Sequence, residues 1–156
     1  MSTVPATISA VAATVAAILA GINIYLIRRN ENVKWAREAL VDSFTSFLSA
    51  SFESKDRIKL AVRTALTDPG SPEIARLRRE ADEVERTMRD LQTRLRLLTG
   101  DEVVAAAQEL RFAVRDYIDF AASLDEVDAV ADKQLRVKLW RRREAFIAAA
   151  QKALAL

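Results

Sequence analysis

The first 27 residues contain no charged side chain, and this constrains the fold more than any other feature of the sequence. All 24 basic and all 22 acidic residues follow Ile27. As a helix at about 1.5 Å per residue, the 24 residues from Val4 to Ile27 reach roughly 36 Å, more than the ~30 Å hydrocarbon core of a bilayer. We therefore predict a transmembrane anchor in residues 1–27, with the span at about residues 4–27, and one further domain in residues 28–156.

The flanks of the span predict how it is inserted. A cleaved signal peptide begins with basic residues and ends at a small-residue cleavage site, whereas this chain begins Met-Ser-Thr and its apolar stretch ends Tyr-Leu-Ile-Arg-Arg. Cations follow the span at Arg28, Arg29, Lys34 and Arg37, and basic residues favour the cytoplasmic side. We expect an uncleaved single-pass anchor with its N-terminus outside and its domain in the cytoplasm. Arginine outnumbers lysine 18 to 6, which favours a bacterial inner membrane as the location.

Small residues recur every four positions on one side of the predicted span. They are Ser9, Ala13, Ala17 and Gly21. Small side chains let two helices approach closely in lipid, where packing drives association, so this side predicts a helix dimer. The alternative is an alanine-rich span in which the spacing is accidental.

The composition predicts an all-α fold. The chain has three glycines and three prolines, and it contains neither cysteine nor histidine, which argues against disulfides, a thiol nucleophile and the usual metal sites. Turn signals divide residues 28–156 into helices at about 33–66, 72–99, 101–123 and 124–155, the first of which could be one helix or two. A capping box of Ser123 and Glu126 is expected to start the last one. Short turns favour an antiparallel helical bundle or coiled-coil hairpins.

The second of these helices carries the clearest packing pattern. Eight apolar residues alternate spacings of three and four over more than three heptads, which is typical of a coiled-coil seam. They are Ile74, Leu77, Ala81, Val84, Met88, Leu91, Leu95 and Leu98. The seam predicts packing within the bundle, against a second copy or against a protein partner.

Charge changes sign between the last two helices. Residues 101–132 carry nine acidic and two basic side chains, whereas residues 133–156 carry seven basic and one acidic. Two interpretations remain open: the neighbouring helices pair their charges, or the basic helix binds anionic lipid or a partner. Nucleic acid is disfavoured because the basic excess is small and no reading element is recognisable.

The last helix has two apolar sides. One is formed by Leu135, Leu139, Phe146 and Ala150, and the other by Val130, Val137 and Trp140. Such a helix is either central in its bundle or offers one side to a partner. The candidate face for a partner or for lipid comprises Lys133, Val137, Lys138, Trp140 and Arg141. Arg142 lies along the first side, where a carboxylate from another helix or a solvated position is expected.

No pattern in the sequence predicts catalysis. Phosphate-binding loops, nucleophile elbows and the Glu-x-x-His pairs of di-iron bundles are missing from it. We therefore expect a protein that is not an enzyme, has no cofactor or small-molecule substrate, and acts as a membrane-anchored scaffold or adaptor through protein contacts or self-association. The alternative is a bilayer-active protein of the phage-lysis or membrane-stress type.

Overall fold

The described part of the chain is entirely helical. The computed structural model describes the backbone of residues 4–123 and 128–155, and the side chains of residues 31–123 and 128–155. Over this part there are four helices and no strand: α1 (Val4–Thr67), α2 (Pro72–Leu98), α3 (Asp101–Ala122) and α4 (Ala129–Ala155). The prediction of an all-α helical bundle is confirmed. The chain divides into two compact units, residues 1–39 and residues 40–156.

The predicted membrane span falls in the first unit. Among the side chains that the structure describes, no helix offers a stretch long and apolar enough to cross a bilayer. Residues 4–27 lie outside those side chains, and so do the small residues Ser9, Ala13, Ala17 and Gly21. The segment 33–66, which the sequence left as one helix or two, is continuous within α1.

Local capping explains where α2 and α4 begin. The Ser71 hydroxyl accepts a hydrogen bond from the backbone N–H of Glu73 at 3.4 Å, and Pro72 occupies the first turn, where its missing N–H costs nothing. Helix α4 begins at Ala129, after Asp128, whose carboxylate accepts from the backbone N–H groups of Val130 at 2.9 Å and Ala131 at 3.2 Å.

The expected Ser123 cap of the last helix is replaced by the Asp128 cap. Ser123 instead ends α3, where its backbone N–H and its hydroxyl both bond to the carbonyl of Phe120. Glu126, the other half of the expected capping box, lies outside the described residues. An aspartate satisfies orphan N–H groups as well as a serine does, and its charge also favours the helix N-terminus.

Contacts between helices give the second unit an antiparallel up-and-down order. Helix α1 meets α2 where the Ser54 hydroxyl donates to the carbonyl of Ala81, and α2 meets α3 through Asp82 and Arg115. Helix α3 meets α4 through Glu102 and Lys152. Helix α4 returns to α1, where the Phe47 and Phe146 rings lie 5.0 Å apart. Each helix thus runs opposite to its two neighbours, and Leu40, the Gly100 turn and the end of α4 share one end of this unit.

The core is apolar from all four helices but holds several polar side chains. Its fully buried members include Phe47 and Ile58 from α1, Met88 from α2, Tyr117 from α3 and Phe146 from α4. The buried polar or charged residues are Ser43, Ser51, Ser54, Glu85, Gln92 and Arg143. Buried polar groups need hydrogen-bond partners, and buried charges need pairing or other compensation. These residues therefore mark where polar contacts, and not apolar packing alone, join the helices.

Candidate binding face on α4

Helix α4 contributes one side to the core and leaves another uncovered. Leu139 and Phe146 are fully buried, and Leu135 packs against the core from its edge. On the opposite side, Val137 is 41% exposed and Trp140 is 59% exposed. This side was expected either to pack in the core or to form a surface. Among the described residues it forms a surface.

The cations of α4 fall into two groups. Lys138 bonds Asp116 of α3 at 2.6 Å, and Arg142 meets Glu109 of α3 at 3.2 Å while remaining partly solvated. In contrast, no carboxylate of the described residues lies within 4.0 Å of Lys133 or Arg141. Charge pairing between α3 and α4 therefore accounts for part of the basic set and leaves Lys133 and Arg141 as exposed cations without a described carboxylate partner.

These unpaired cations flank the exposed apolar pair. Lys133, Val137 and Arg141 follow one another at four-residue intervals, so they share one side of α4. We call Lys133, Val137, Trp140 and Arg141 the α4 outer face. Its surface is indented by two open grooves, one of about 560 Å³ beside Val137 and Arg141 and one of about 310 Å³ beside Val137 and Trp140. Open grooves of this kind fit side chains of a partner better than an enclosed small molecule.

A buried guanidinium at the boundary of α4 and α1 was missed by the sequence reading. Arg143 is 4% exposed. Its Nε donates to the Ser51 hydroxyl at 3.0 Å, its Nη2 donates to the Ser51 carbonyl at 2.6 Å, and its Cζ lies 4.0 Å from the centre of the Phe52 ring. Burial lowers the pKa of Arg143 to about 10, and the charge of Asp56 opposes this shift. The guanidinium is therefore charged at neutral pH but poorly compensated.

The side chains around Arg143 form a small cluster on α1. Lys55 also approaches the Phe52 ring, with Nζ 5.7 Å from its centre, and pairs with Asp56 at 2.9 Å. Phe52 is 46% exposed, so the cluster reaches the surface. We call Ser51, Phe52, Lys55, Asp56 and Arg143 the Arg143 cluster.

The predicted seam of α2 is distributed between the core and its edge. Leu77, Ala81, Met88 and Leu95 are buried, Ile74, Val84 and Leu91 are partly buried, and Leu98 is exposed. Two polar residues, Glu85 and Gln92, are buried beside them. Arg111 of α3 bonds Glu85 at 2.6 Å and Gln92 at 2.9 Å. The α2–α3 contact is thus a mixed apolar and polar one within the bundle.

A second polar contact joins α3 to α4. The hydroxyl of Tyr117, itself buried, donates to Asp132 at 2.7 Å, and Asp132 also pairs with Arg136 at 2.9 Å. Burial of the phenol, together with this hydrogen bond, holds the pKa of Tyr117 well above its usual range. The phenol of Tyr117 therefore stays protonated, and able to donate to Asp132, through the physiological pH range.

Comparisons with known proteins add no assignment. No family model matches this chain, and no curated protein or solved structure matches it either. Among the described residues, no group of three or more histidine, cysteine, aspartate or glutamate side chains could hold a metal ion.

Proposed function

We propose that this chain is a non-enzymatic, single-pass membrane adaptor. Residues 4–27 anchor it with the N-terminus outside, and the cytoplasmic bundle recruits a protein partner through the α4 outer face. The observation that carries the proposal is the exposure of Val137 and Trp140 between the unpaired cations Lys133 and Arg141. Helix α4 already buries a full apolar side in the core, so this second side has no role within the described bundle.

The composition of the face resembles that of a protein interface. Aromatic residues and arginine are enriched where interfaces concentrate their binding energy, and an apolar centre with a charged rim is their usual arrangement. Trp140 and Val137 would supply the centre, and Lys133 and Arg141 the rim. A partner segment with apolar and acidic side chains fits this arrangement best.

Anionic lipid is the other ligand that suits an apolar centre with unpaired cations, and adducts with lipid at Val137 or Trp140 would reveal it.

Membrane anchoring is supported by the sequence and is tested separately. The 24 charge-free residues are followed by cations, and residues 31–38, which include Trp35, are all exposed. We expect the full chain to stay in membranes after alkaline carbonate extraction. A tag on the C-terminus should resist a protease added outside and be digested only after the membrane is broken. Release by carbonate would overturn the anchor.

Site-specific photocrosslinking tests the binding face. A photoreactive residue at Val137 or Trp140 of the full chain in native membranes should yield a discrete protein adduct that is lost in the Lys133→Glu/Arg141→Glu variant. The matched control is the same photoreactive residue at the exposed Thr93 on α2. Equal adducts at Thr93, or adducts with lipid alone, would contradict the proposal.

The same preparations separate the other outcomes. An adduct of the chain with itself at Val137 would assign the face to self-association. Membrane leakage or growth arrest that requires residues 1–52 would instead support the bilayer-active alternative. Harmless expression would count against that alternative.

A further inference from the structure

Arg143 is held along one edge of its guanidinium and left open along the other. The edge formed by Nε and Nη2 is occupied, because both atoms donate to Ser51, at 3.0 Å and 2.6 Å. The face of the guanidinium is covered by the Phe52 ring at 4.0 Å. The remaining edge, formed by Nη1 and the second N–H of Nη2, carries no hydrogen bond to any described residue.

The open edge reaches solvent. In the described part of the chain, no fully buried side-chain nitrogen or oxygen lacks a hydrogen-bond partner. Since Nη1 has no such partner, it is not fully buried, although the residue as a whole is 4% exposed. Nη1 is therefore in contact with solvent, while Nε and Nη2 are bonded to Ser51.

No described carboxylate occupies this open edge. The nearest acidic influence on Arg143 is Asp56, which acts on its pKa but does not lie within ion-pair distance and pairs with Lys55 at 2.9 Å. The cluster contains two cations, Arg143 and Lys55, against the single carboxylate of Asp56. The five side chains of the cluster thus carry a net charge of +1.

A purely structural role does not explain an arginine at this position. The Ser51 hydroxyl already donates to the Leu48 carbonyl at 2.7 Å, so it does not need Arg143 to be satisfied. A buried guanidinium without a carboxylate is costly, and apolar residues of similar volume are usually tolerated better. Two hydrogen bonds to Ser51 and the contact with the Phe52 ring offset part of this cost, and an anion at the open edge would offset more of it.

We propose that the Arg143 cluster is a binding site for an oxyanion, a carboxylate or phosphate group, held bidentately by the open edge of Arg143. Arginine forks match the two oxygens of these groups, and a guanidinium fixed beforehand by Ser51 and Phe52 loses little freedom on binding. Lys55 supplies a second positive charge, with its Nζ 5.7 Å from the centre of the Phe52 ring. The site uses residues other than the α4 outer face, so it can exist whether or not that face binds a partner.

Nuclear magnetic resonance of the full chain tests the site directly. In an uncharged maltoside detergent, sodium phosphate or sodium acetate is titrated against sodium chloride at matched ionic strength. The Nε–H signal of Arg143 is followed in the wild type, and the backbone amide signals of Phe52 and Lys55 are followed in the wild type and in every variant. We expect a saturable shift with phosphate, with acetate or with both. The Arg143→Lys variant keeps the charge but has no fork, and its binding should be at least about tenfold weaker. The matched control is Arg94→Lys, at an exposed position of α2, which should bind as the wild type does.

Asp56→Asn keeps the test decisive if Arg143 variants fold poorly. This exposed substitution removes the competing charge without touching the fork, so it should strengthen binding a few-fold. The source of the anion is distinguished in bilayer discs: a shift on moving from neutral to anionic lipid, without added salt anion, assigns it to headgroups, and no shift assigns it to a soluble or protein-borne group. Absence of a saturable shift in the wild type, or equal affinity in Arg143→Lys, overturns the site. The crosslinking of Val137 is unaffected by either result.

Discussion

The bundle holds the partly buried guanidinium of Arg111 and the buried guanidinium of Arg143 in two different ways. Arg111, between α2 and α3, meets Glu85 at 2.6 Å and Gln92 at 2.9 Å, and Glu85 is 1% exposed. Arg143, between α4 and α1, has only Ser51 as a hydrogen-bond partner among the described residues. One contact is a complete ion pair, and the other is a charge held by neutral groups.

The difference separates a stabilising polar contact from one with unused binding capacity. A buried pair balances its desolvation by mutual attraction, so it depends on both members being present. A buried charge held by neutral groups keeps its desolvation cost, and this is the origin of the lowered pKa of Arg143. We therefore expect the free energy of unfolding to change in opposite directions when the two contacts are broken.

Removal of Glu85 should have the largest effect on stability. Glu85→Ala leaves Arg111 without its carboxylate in a mostly buried position, and losing one member of a buried pair costs about 3–5 kcal/mol. Equilibrium urea unfolding of the full chain in mild detergent, followed by far-ultraviolet circular dichroism, measures the change. Glu83→Ala, at an exposed position of the same helix, should change stability by less than about 0.5 kcal/mol. Equal effects of the two substitutions would mean that the Arg111 contact is not a buried pair in solution.

Removal of the Arg143 charge should have the opposite sign. Arg143→Met replaces the guanidinium by an apolar chain of similar length, and no polar group loses its last partner because Ser51 still bonds Leu48. We expect the free energy of unfolding to rise by about 1–2 kcal/mol, within the range seen when apolar residues replace buried charges. The same urea titration checks it, with Arg141→Met as the exposed control. A loss of stability above about 1 kcal/mol would make Arg143 a structural residue.

The helices of the second unit were predictable because local signals mark most of their ends. The Pro69–Gly70 turn, the Ser71 cap and Gly100 each act through their own backbone chemistry. The two apolar sides of the last helix, in contrast, left open whether Val137 and Trp140 are buried or exposed. Residues 124–127 carry neither glycine nor proline, and the start of α4 was accordingly misjudged. Its cap is an aspartate, a residue that is also common on exposed helix surfaces.

The buried polar contacts could not be read from the pattern of apolar residues. Glu85 directly follows the seam residue Val84, and Gln92 directly follows Leu91. A small rotation of α2 therefore determines whether the apolar residue or the polar residue of each pair is buried. Arg111 on another helix bonds both Glu85 and Gln92 and so favours the rotation that buries them. Likewise Arg142 and Arg143 are adjacent in sequence, and only the positions of Glu109 and Ser51 determine which one is solvated and which one is buried.

Alkaline pH should affect two contacts in opposite directions. The pKa of Tyr117 is raised in the folded state, so above about pH 10 only the unfolded chain loses this proton, and stability falls as the pH rises. The pKa of Arg143 is lowered to about 10, so the folded chain loses that proton first and stability rises over the same range. Between about pH 8 and pH 11, each effect is about 1.4 kcal/mol and the two nearly cancel.

Single variants expose these opposed effects. Relative to the wild type, Tyr117→Phe should gain about 1.4 kcal/mol between about pH 8 and pH 11, and Arg143→Met should lose about the same amount. Unfolding by urea at a series of pH values measures both, with Phe112→Leu on the surface of α3 as a control that should follow the wild type. Parallel curves for wild type and Arg143→Met would show that the guanidinium of Arg143 keeps its usual pKa. Arg143 would then be better solvated in solution than it is in this structure.

The smallest effect on stability is expected at an exposed ion pair. This pair is the reference for the contacts of Arg111 and Arg143. Lys138 and Asp116 lie 2.6 Å apart but are each about half exposed, at 50% and 47% of their side-chain surface. Water screens such a pair and side-chain entropy opposes it, so a double-mutant cycle with Lys138→Ala and Asp116→Ala should give a coupling of at most about 0.5 kcal/mol, weaker still at high salt. A coupling near that of Arg111 and Glu85 would mean that short distance alone determines the strength of these contacts. A small coupling would instead assign the difference between Arg111 and Arg143 to burial and to the presence of a carboxylate, and leave Lys138 free to exchange Asp116 for an acidic group on a partner.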